Sequence, residues 1–214
     1  MGYFPFFMEL KGKNGIVVGG GKVAARKVEK LLLFDPSLIV IAPVIEECMR
    51  VQGGLPQRDA AASLQFEERE VQMEDLDGAD SVVAATDDEA LNGRIAEYCS
   101  AERIPVNVVD DRDKCTFFFP ALIKEGPLTI GISTDGKSPL AASWVRQEIS
   151  GKLPNGIGNA IDLLGQIRPA VMQLEMEETD RKKLFEKLFH YCLEKEEKVS
   201  VEELMGLLQA DFEK

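Results

Sequence analysis

Two features of the sequence have the residue types and spacing to do chemistry. The first is Gly19-Gly20-Gly21, which ends the apolar run Gly15-Ile16-Val17-Val18 and opens into the helix-forming stretch Lys22-Val23-Ala24. In this G-x-G-x-x-A pattern Gly19 permits a tight turn, Gly21 lets the backbone approach a pyrophosphate, and Ala24 lets helix and strand pack closely. Unpaired N–H groups at the helix start then face the phosphates. The pattern points to a dinucleotide-binding turn, although glycines after a strand also serve turns that hold no ligand. The second feature is Asp110, which follows the apolar run Ile104-Pro105-Val106-Asn107-Val108-Val109. A carboxylate at such a strand end can act as general base beside a nicotinamide, with burial raising its pKa and a nearby developing cation lowering it. Asp110-Asp111 is equally the composition of a plain turn.

These residues need a scaffold that brings strand ends together. Gly15–Val18, Leu38–Ile41, Ser81–Ala85 and Ile104–Val109 are short and almost wholly apolar. Helical stretches stand between them: Ala24 to Leu33 places Ala24, Val28, Leu31 and Leu32 on one face, and Glu89 to Ser100 follows the third run. Fully apolar strands spaced by helices imply a parallel sheet covered on both faces, an α/β domain of Rossmann type over residues 1–112. Ligands of such sheets lie beyond the carboxyl ends of the strands. Four points therefore matter: the glycine turn, Ala42-Pro43, Thr86-Asp87-Asp88 and Asp110-Asp111. Thr86 can meet a cofactor through its hydroxyl or backbone, or Thr86 or Asp87 can simply cap the next helix. The acidic residue expected about twenty positions past the glycines is missing, because Ile41, Ala42 and Pro43 stand there. Backbone contacts near Pro43-Val44 must substitute, and the choice between NAD and NADP stays open.

The pattern changes after residue 112. Thr116-Phe117-Phe118-Phe119 and Leu128-Thr129-Ile130-Gly131-Ile132 are β-rich runs about a turn at Lys124-Glu125-Gly126-Pro127. Ser138-Pro139 starts a helix that Gly151 stops. This small α+β segment, 113–154, cannot bury its own apolar surface, so it either packs on the first domain or pairs with a second copy. From residue 155 to 214 the pattern is helical, with Ile157, Ile161, Leu164 and then Leu184, Leu188, Tyr191 at helical spacing, a break or kink at Pro169, and a capping box at Ser200-Val201-Glu202-Glu203. A small helical domain is expected.

The net charge of −12 argues against non-specific nucleic-acid binding. Residues 1–112 carry 12 basic and 20 acidic groups and residues 155–214 carry 8 and 13, whereas residues 113–154 carry 5 and 4. The middle segment is thus the part able to accept a polyanion without strong repulsion. Among its cations, Lys124 lies in a turn and Lys152 after a helix, which leaves Lys137 and Arg146 as the better candidates. Cys48, Cys99, Cys115 and Cys192 match no metal spacing, and His190, the only histidine, stands between Phe189 and Tyr191 on a helical stretch and reads as structural. Reduced, mostly buried thiols are expected. Met1 to Met8 has no basic leader or long apolar core, and no stretch is long enough to span a bilayer, so a cytoplasmic protein that binds neither membrane nor metal is expected.

Val18-Gly19-Gly20-Gly21-Lys22-Val23-Ala24-Ala25-Arg26-Lys27, Ala84-Ala85-Thr86-Asp87-Asp88, Asn107-Val108-Val109-Asp110, Phe119-Pro120-Ala121 and Ser133-Thr134-Asp135-Gly136-Lys137-Ser138-Pro139 together resemble the precorrin-2 dehydrogenase family of sirohaem biosynthesis. The resemblance covers residues 1 to about 154 and is weak in the helical tail. It implies oxidation of precorrin-2 to sirohydrochlorin with NAD⁺ as hydride acceptor, in a homodimer paired through the middle segment. Asp110 falls on the family's catalytic aspartate. Gly19, Gly20, Gly21, Lys22, Val23, Pro43, Val44 and Thr86 fall to the cofactor, and Asn107 and Thr134 to the tetrapyrrole together with Lys137 and Arg146. Asp135 stands where glycine is common, a departure that can crowd or repel an anionic substrate. Some relatives also insert Fe²⁺ into sirohydrochlorin, which needs no separate metal site because the macrocycle brings its own nitrogens. A non-enzymatic nucleotide sensor is the remaining alternative.

Overall fold

The structure, a computed structural model, describes residues 3–53, 63–195 and 199–212. They fall into two compact units, one spanning Phe6–Phe119 and the other running from Pro120 onward together with residues 3–5.

The first unit is built on five parallel strands, β1 (Asn14–Val18), β2 (Ser37–Ile41), β3 (Ser63–Glu67), β4 (Ser81–Ala84) and β5 (Val106–Val108), in the spatial order β3-β2-β1-β4-β5. Neighbouring residues of a strand point to opposite faces, so an all-apolar strand needs cover on both sides. Ile16, Val18, Val82, Ala84, Val106 and Val108 pack on one side with Ile95, Ala96 and Cys99 of α3 (Glu89–Glu102). Val17, Leu38, Val40 and Val83 pack on the other with Ala24, Ala25, Val28 and Leu31 of α1 (Lys22–Leu32) and Met49 of α2 (Glu47–Gly53).

Two sequence expectations change here. β3 has no counterpart among the apolar runs, because Ser63-Leu64-Gln65-Phe66-Glu67 is a half-buried edge strand rather than a buried one. Thr116–Phe119 is not a strand. Thr116 lies beside β5, its N–H donating to the Val106 carbonyl at 2.8 Å and its hydroxyl accepting from Val106 N–H at 2.8 Å. Phe117 and Phe119 then insert their rings against the α1-side core. The run supplies aromatic bulk to one face instead of a pleated edge.

In the second unit β6 (Ala121–Glu125) and β7 (Leu128–Ile132) form an antiparallel hairpin around Gly126-Pro127, with Gly126 in the left-handed region at φ 54°. The turn is thus two residues, narrower than the four of the sequence reading. α4 (Pro139–Ser150) begins at Ser138, whose Oγ accepts the Ala141 N–H at 3.1 Å, and ends at Gly151, as the Ser-Pro and Gly signals predict. Three helices follow, α5 (Ile157–Met172), α6 (Glu178–Lys195) and α7 (Val201–Phe212). Ala160, Leu163, Ile167 and Val171 of α5 meet Leu184, Leu188 and Cys192 of α6 and Leu204 and Leu208 of α7 in a separate core. Pro169 does not end α5, which runs on to Met172. At the start of α7 Ser200 Oγ accepts the Glu203 N–H, while the Glu203 carboxylate accepts from the Tyr191 hydroxyl of α6. The box's second arm is spent on joining two helices.

Candidate active site

The glycine turn is held by contacts that only glycine tolerates. Gly19 sits at φ 126°, and a Cβ there would lie 2.3 Å from the Ala85 carbonyl oxygen; a Cβ on Gly20 would lie 2.0 Å from the Val44 carbonyl oxygen. The turn is pressed between the ends of β2 and β4, with Gly19 N–H donating to Ile41 O and Glu46 N–H to Gly20 O, both at 3.0 Å. Gly21 precedes α1 in extended conformation, with no capping side chain and no acidic residue in the first turn. The helix therefore presents the N–H groups of its first turn and the positive end of its dipole with no capping side chain or acidic residue of its own first turn against them, the arrangement a pyrophosphate needs. The cradle fits a dinucleotide. Lys22 is exposed and Val23 half-buried at this end, and Pro43 and Val44 are exposed just past β2.

One acidic residue escaped the sequence reading. Glu46, beyond the position where the fingerprint expects it, holds its carboxylate beside the glycine turn, 3.7 Å from the point where a Cβ on Gly21 would stand. No sequence spacing announces it, because the loop after β2 has to fold back over Gly20 to bring it there.

After β4, Asp88 and neither Thr86 nor Asp87 caps α3, its carboxylate accepting from Ala90 and Leu91 N–H at 2.9 and 3.0 Å. Thr86 is locked by the buried Asn92: its N–H and hydroxyl donate to Asn92 Oδ1 at 3.3 and 2.8 Å, and its carbonyl accepts from Asn92 Nδ2 at 2.9 Å. Thr86 is a rigid floor at this strand end, with its polar groups already used.

Past β5 the two adjacent aspartates differ. Asp111 pairs with Lys114 at 2.7 Å, and that ammonium holds its carboxyl below the usual aspartate range. Asp110 is exposed, adopts the left-handed backbone at φ 60°, and makes no hydrogen bond or ion pair with another described residue. Its turn is pinned from beneath: Val109 N–H donates to Ala84 O at 2.9 Å, and the Cys115 sulfur accepts the Val108 N–H at 3.1 Å and lies 3.2 Å from the Asp111 carbonyl. Burial pushes the Cys115 thiol up, so it stays a neutral clamp. Asn107, one residue inside β5, is 5% exposed. Its Nδ2 donates to Phe117 O at 2.9 Å, while its Oδ1 has no hydrogen-bond partner among the described residues. A buried acceptor left open in this way is suited to a donor on a ligand.

The sheet unit thus brings together Gly19–Val23, Pro43, Val44, Thr86, Asn107 and Asp110 at the carboxyl ends of its strands. β4 alone separates β1 from β5, which sets the glycine turn and Asp110 roughly 10 Å apart at the usual strand spacing. Thr134, Lys137 and Arg146 belong to the other unit. The Thr134 hydroxyl donates to Ser138 O at 3.0 Å and accepts the Ser138 N–H, so it braces the start of α4. Lys137 is exposed, and Arg146 is half-buried with no hydrogen bond or ion pair to a described residue. Asp135 takes the left-handed conformation at φ 52° that explains a preference for glycine there. His190 is exposed on α6 with its ring 5.9 Å from that of Phe189. A cavity of about 380 Å³ between the hairpin turn and the start of α5 contains none of these residues.

A parallel sheet with an uncapped glycine turn and a free carboxylate two strands away defines a dinucleotide-binding α/β protein. Residues 6–121 match the family described as putative NAD(P)-binding, and residues 125–151 match the one described as sirohaem biosynthesis protein central. The chain is 39% identical over 190 residues to the siroheme synthase of Photorhabdus laumondii, covering 89% of this chain and 39% of that protein. It is 34% identical over 190 residues to the siroheme synthase of Neisseria meningitidis serogroup C, covering 89% and 38%. The chain spans about two fifths of the length of these relatives. A solved structure of SirC, a precorrin-2 dehydrogenase, has the same fold, with a TM-score of 0.77 at 23% identity over 99% of this chain and 100% of that one. The chain belongs to the family described as putative NAD(P)-binding.

Proposed function

We propose that the protein oxidises precorrin-2 to sirohydrochlorin, with NAD⁺ as acceptor and Asp110 as general base. The observation that carries this reading is the contrast at the end of β5, where Asp111 is neutralised by Lys114 and Asp110 is left exposed, with no ion pair to a described residue, on a left-handed turn. A carboxylate without an ion pair, at the carboxyl end of a strand that faces a ligand crevice, is placed to take a proton. With its pyrophosphate held at the glycine turn, NAD⁺ would supply the hydride acceptor. The macrocycle then loses one hydride to it and one proton to the Asp110 carboxylate, which balances a two-electron oxidation. Asn107 Oδ1 offers an acceptor for a substrate N–H, and Cys115 and Val109 hold the Asp110 turn in place. Lys137 and Arg146 are assigned to carboxylates of the substrate, and Thr134 to shaping its loop. Glu46 adds a negative charge beside Gly21, next to the phosphate cradle, and so disfavours the extra phosphate of NADP⁺ relative to NAD⁺.

The similarity to siroheme synthases supports a second activity, on the product of the first. Fe²⁺ insertion into sirohydrochlorin releases two protons, and Asp110 can accept them in turn. The nucleotide-sensor alternative has no comparable support. Purified protein given precorrin-2 and NAD⁺ should form NADH and sirohydrochlorin, and with Fe²⁺ should speed metal insertion above the spontaneous rate. Tight NAD⁺ binding with no turnover of the tetrapyrrole would favour the sensor instead.

A further inference from the structure

Lys27 stands apart from the other cations of the sheet unit. It lies on α1 next to Val28, at the border of the face buried against the sheet, and its ammonium sits over the Phe119 ring, 4.1 Å from the centroid. It is half-buried, and it makes no hydrogen bond or ion pair with another described residue. Burial pushes its pKa below the ordinary 10.5, Lys30 and Arg26 push the same way, and Cys115 and Asp110 oppose them. Phe119 lies two residues past Phe117, whose carbonyl accepts from Asn107 Nδ2 of β5 at 2.9 Å, so the ammonium stands on the α1 side of the sheet near the strand that leads to Asp110, and no salt bridge between described residues ties the two. A lysine free to choose extends its ammonium into water. Here the charge is partly withdrawn from water and fixed over an aromatic face, with no carboxylate among the described residues in salt-bridge contact, an arrangement that a bound anion completes.

We propose that Lys27 is a substrate-positioning residue, whose ammonium takes one carboxylate of the polycarboxylate macrocycle while Asp110 faces the carbon to be oxidised. The inference rests on the dehydrogenase reading above and adds the contact that orients the substrate at Asp110. Phe119 sets the height of the ammonium, so the pair acts as a fixed point and not as a flexible surface charge. A bound carboxylate there also separates the positive charge from Asp110, which stays available for the proton.

Lys27→Met keeps the stem and removes the charge. It should raise KM for precorrin-2 at least tenfold, weaken sirohydrochlorin binding by a similar factor in an absorbance titration, and change kcat less than threefold. The dissociation constant of NAD⁺ should stay within twofold, and Lys27→Arg should restore most of the KM. Lys27→Gln reads the same charge loss should the Met variant fail to fold. An unchanged KM in both neutral variants of an active enzyme overturns the role of Lys27 alone. Loss of NAD⁺ affinity without a change for the tetrapyrrole also overturns it, because the ammonium then serves a cofactor phosphate. A wild-type protein with no activity on precorrin-2 overturns the functional reading and this inference together.

Discussion

Asp110 and Asp135 both hold left-handed backbones, at φ 60° and 52°, and aspartate is among the few non-glycine residues that do so at modest cost. At Asp110 the geometry turns the chain sharply off β5 and lifts a carboxylate clear of its neighbours. At Asp135 the same tolerance replaces glycine and adds a negative charge near the start of α4. Glu46 shows a different residue-scale effect, since its carboxylate reaches the glycine turn through loop folding. Removing that charge should matter for one cofactor and not the other. Glu46→Gln should tighten NADP⁺ roughly fivefold, about 1 kcal/mol as expected for one like-charge contact near a surface, and leave NAD⁺ within twofold. Equal changes for both nucleotides in a fluorescence titration would remove Glu46 from the selection.

At the scale of elements, the site depends on how β1, β4 and β5 are held in register. Asp80, just before β4, ties that strand to the start of β1: its carboxylate accepts the Asn14 N–H at 2.9 Å and Lys13 Nζ at 3.1 Å, and these hold its pKa below the ordinary 3.8. A carboxyl with a lowered folded pKa contributes stability that is complete above the unfolded value and is lost as pH falls through the folded one. The melting temperature of wild type should therefore exceed that of Asp80→Asn at pH 6, and the gap should close as pH falls from about 4 toward 3. A gap that stays constant over that range would show that the charge contributes nothing. The strands themselves were legible in the sequence because Ile16–Val18, Leu38–Ile41 and Val82–Ala84 are apolar without interruption, which only a doubly covered strand requires. β3 was not, since Leu64 and Phe66 alternate with polar residues at an exposed edge. Phe117–Phe119 misled for a related reason: aromatic residues favour strands, but here Thr116 satisfies the β5 edge and the rings fill a core. The glycine turn and Asp110 could be located from strand ends alone. Lys27, Glu46 and Asn92 could not, because each acquires its partner only through tertiary folding.

For the whole molecule, the unevenness of charge and the apolar face of α4 go together. Leu140 and Trp144, one helical turn apart, are 82% and 60% exposed on a segment that carries nearly balanced charge. An indole and a leucine left in water over one turn form a patch of the kind that partners cover. A second copy of the chain pairing through the middle segment would cover it. Sedimentation equilibrium should show a dimer for wild type and a monomer for the Leu140→Glu/Trp144→Glu double variant, and identical masses for the two would rule out this face. No helix among the described residues is long and apolar enough to cross a membrane. The central claim, however, concerns one carboxylate and one reaction, and a single comparison reaches it most directly. NADH formation from NAD⁺ and precorrin-2 should be readily measured for wild type and reduced at least 100-fold in Asp110→Asn, with the dissociation constant of NAD⁺ unchanged. Turnover by Asp110→Asn at the wild-type rate would contradict the account.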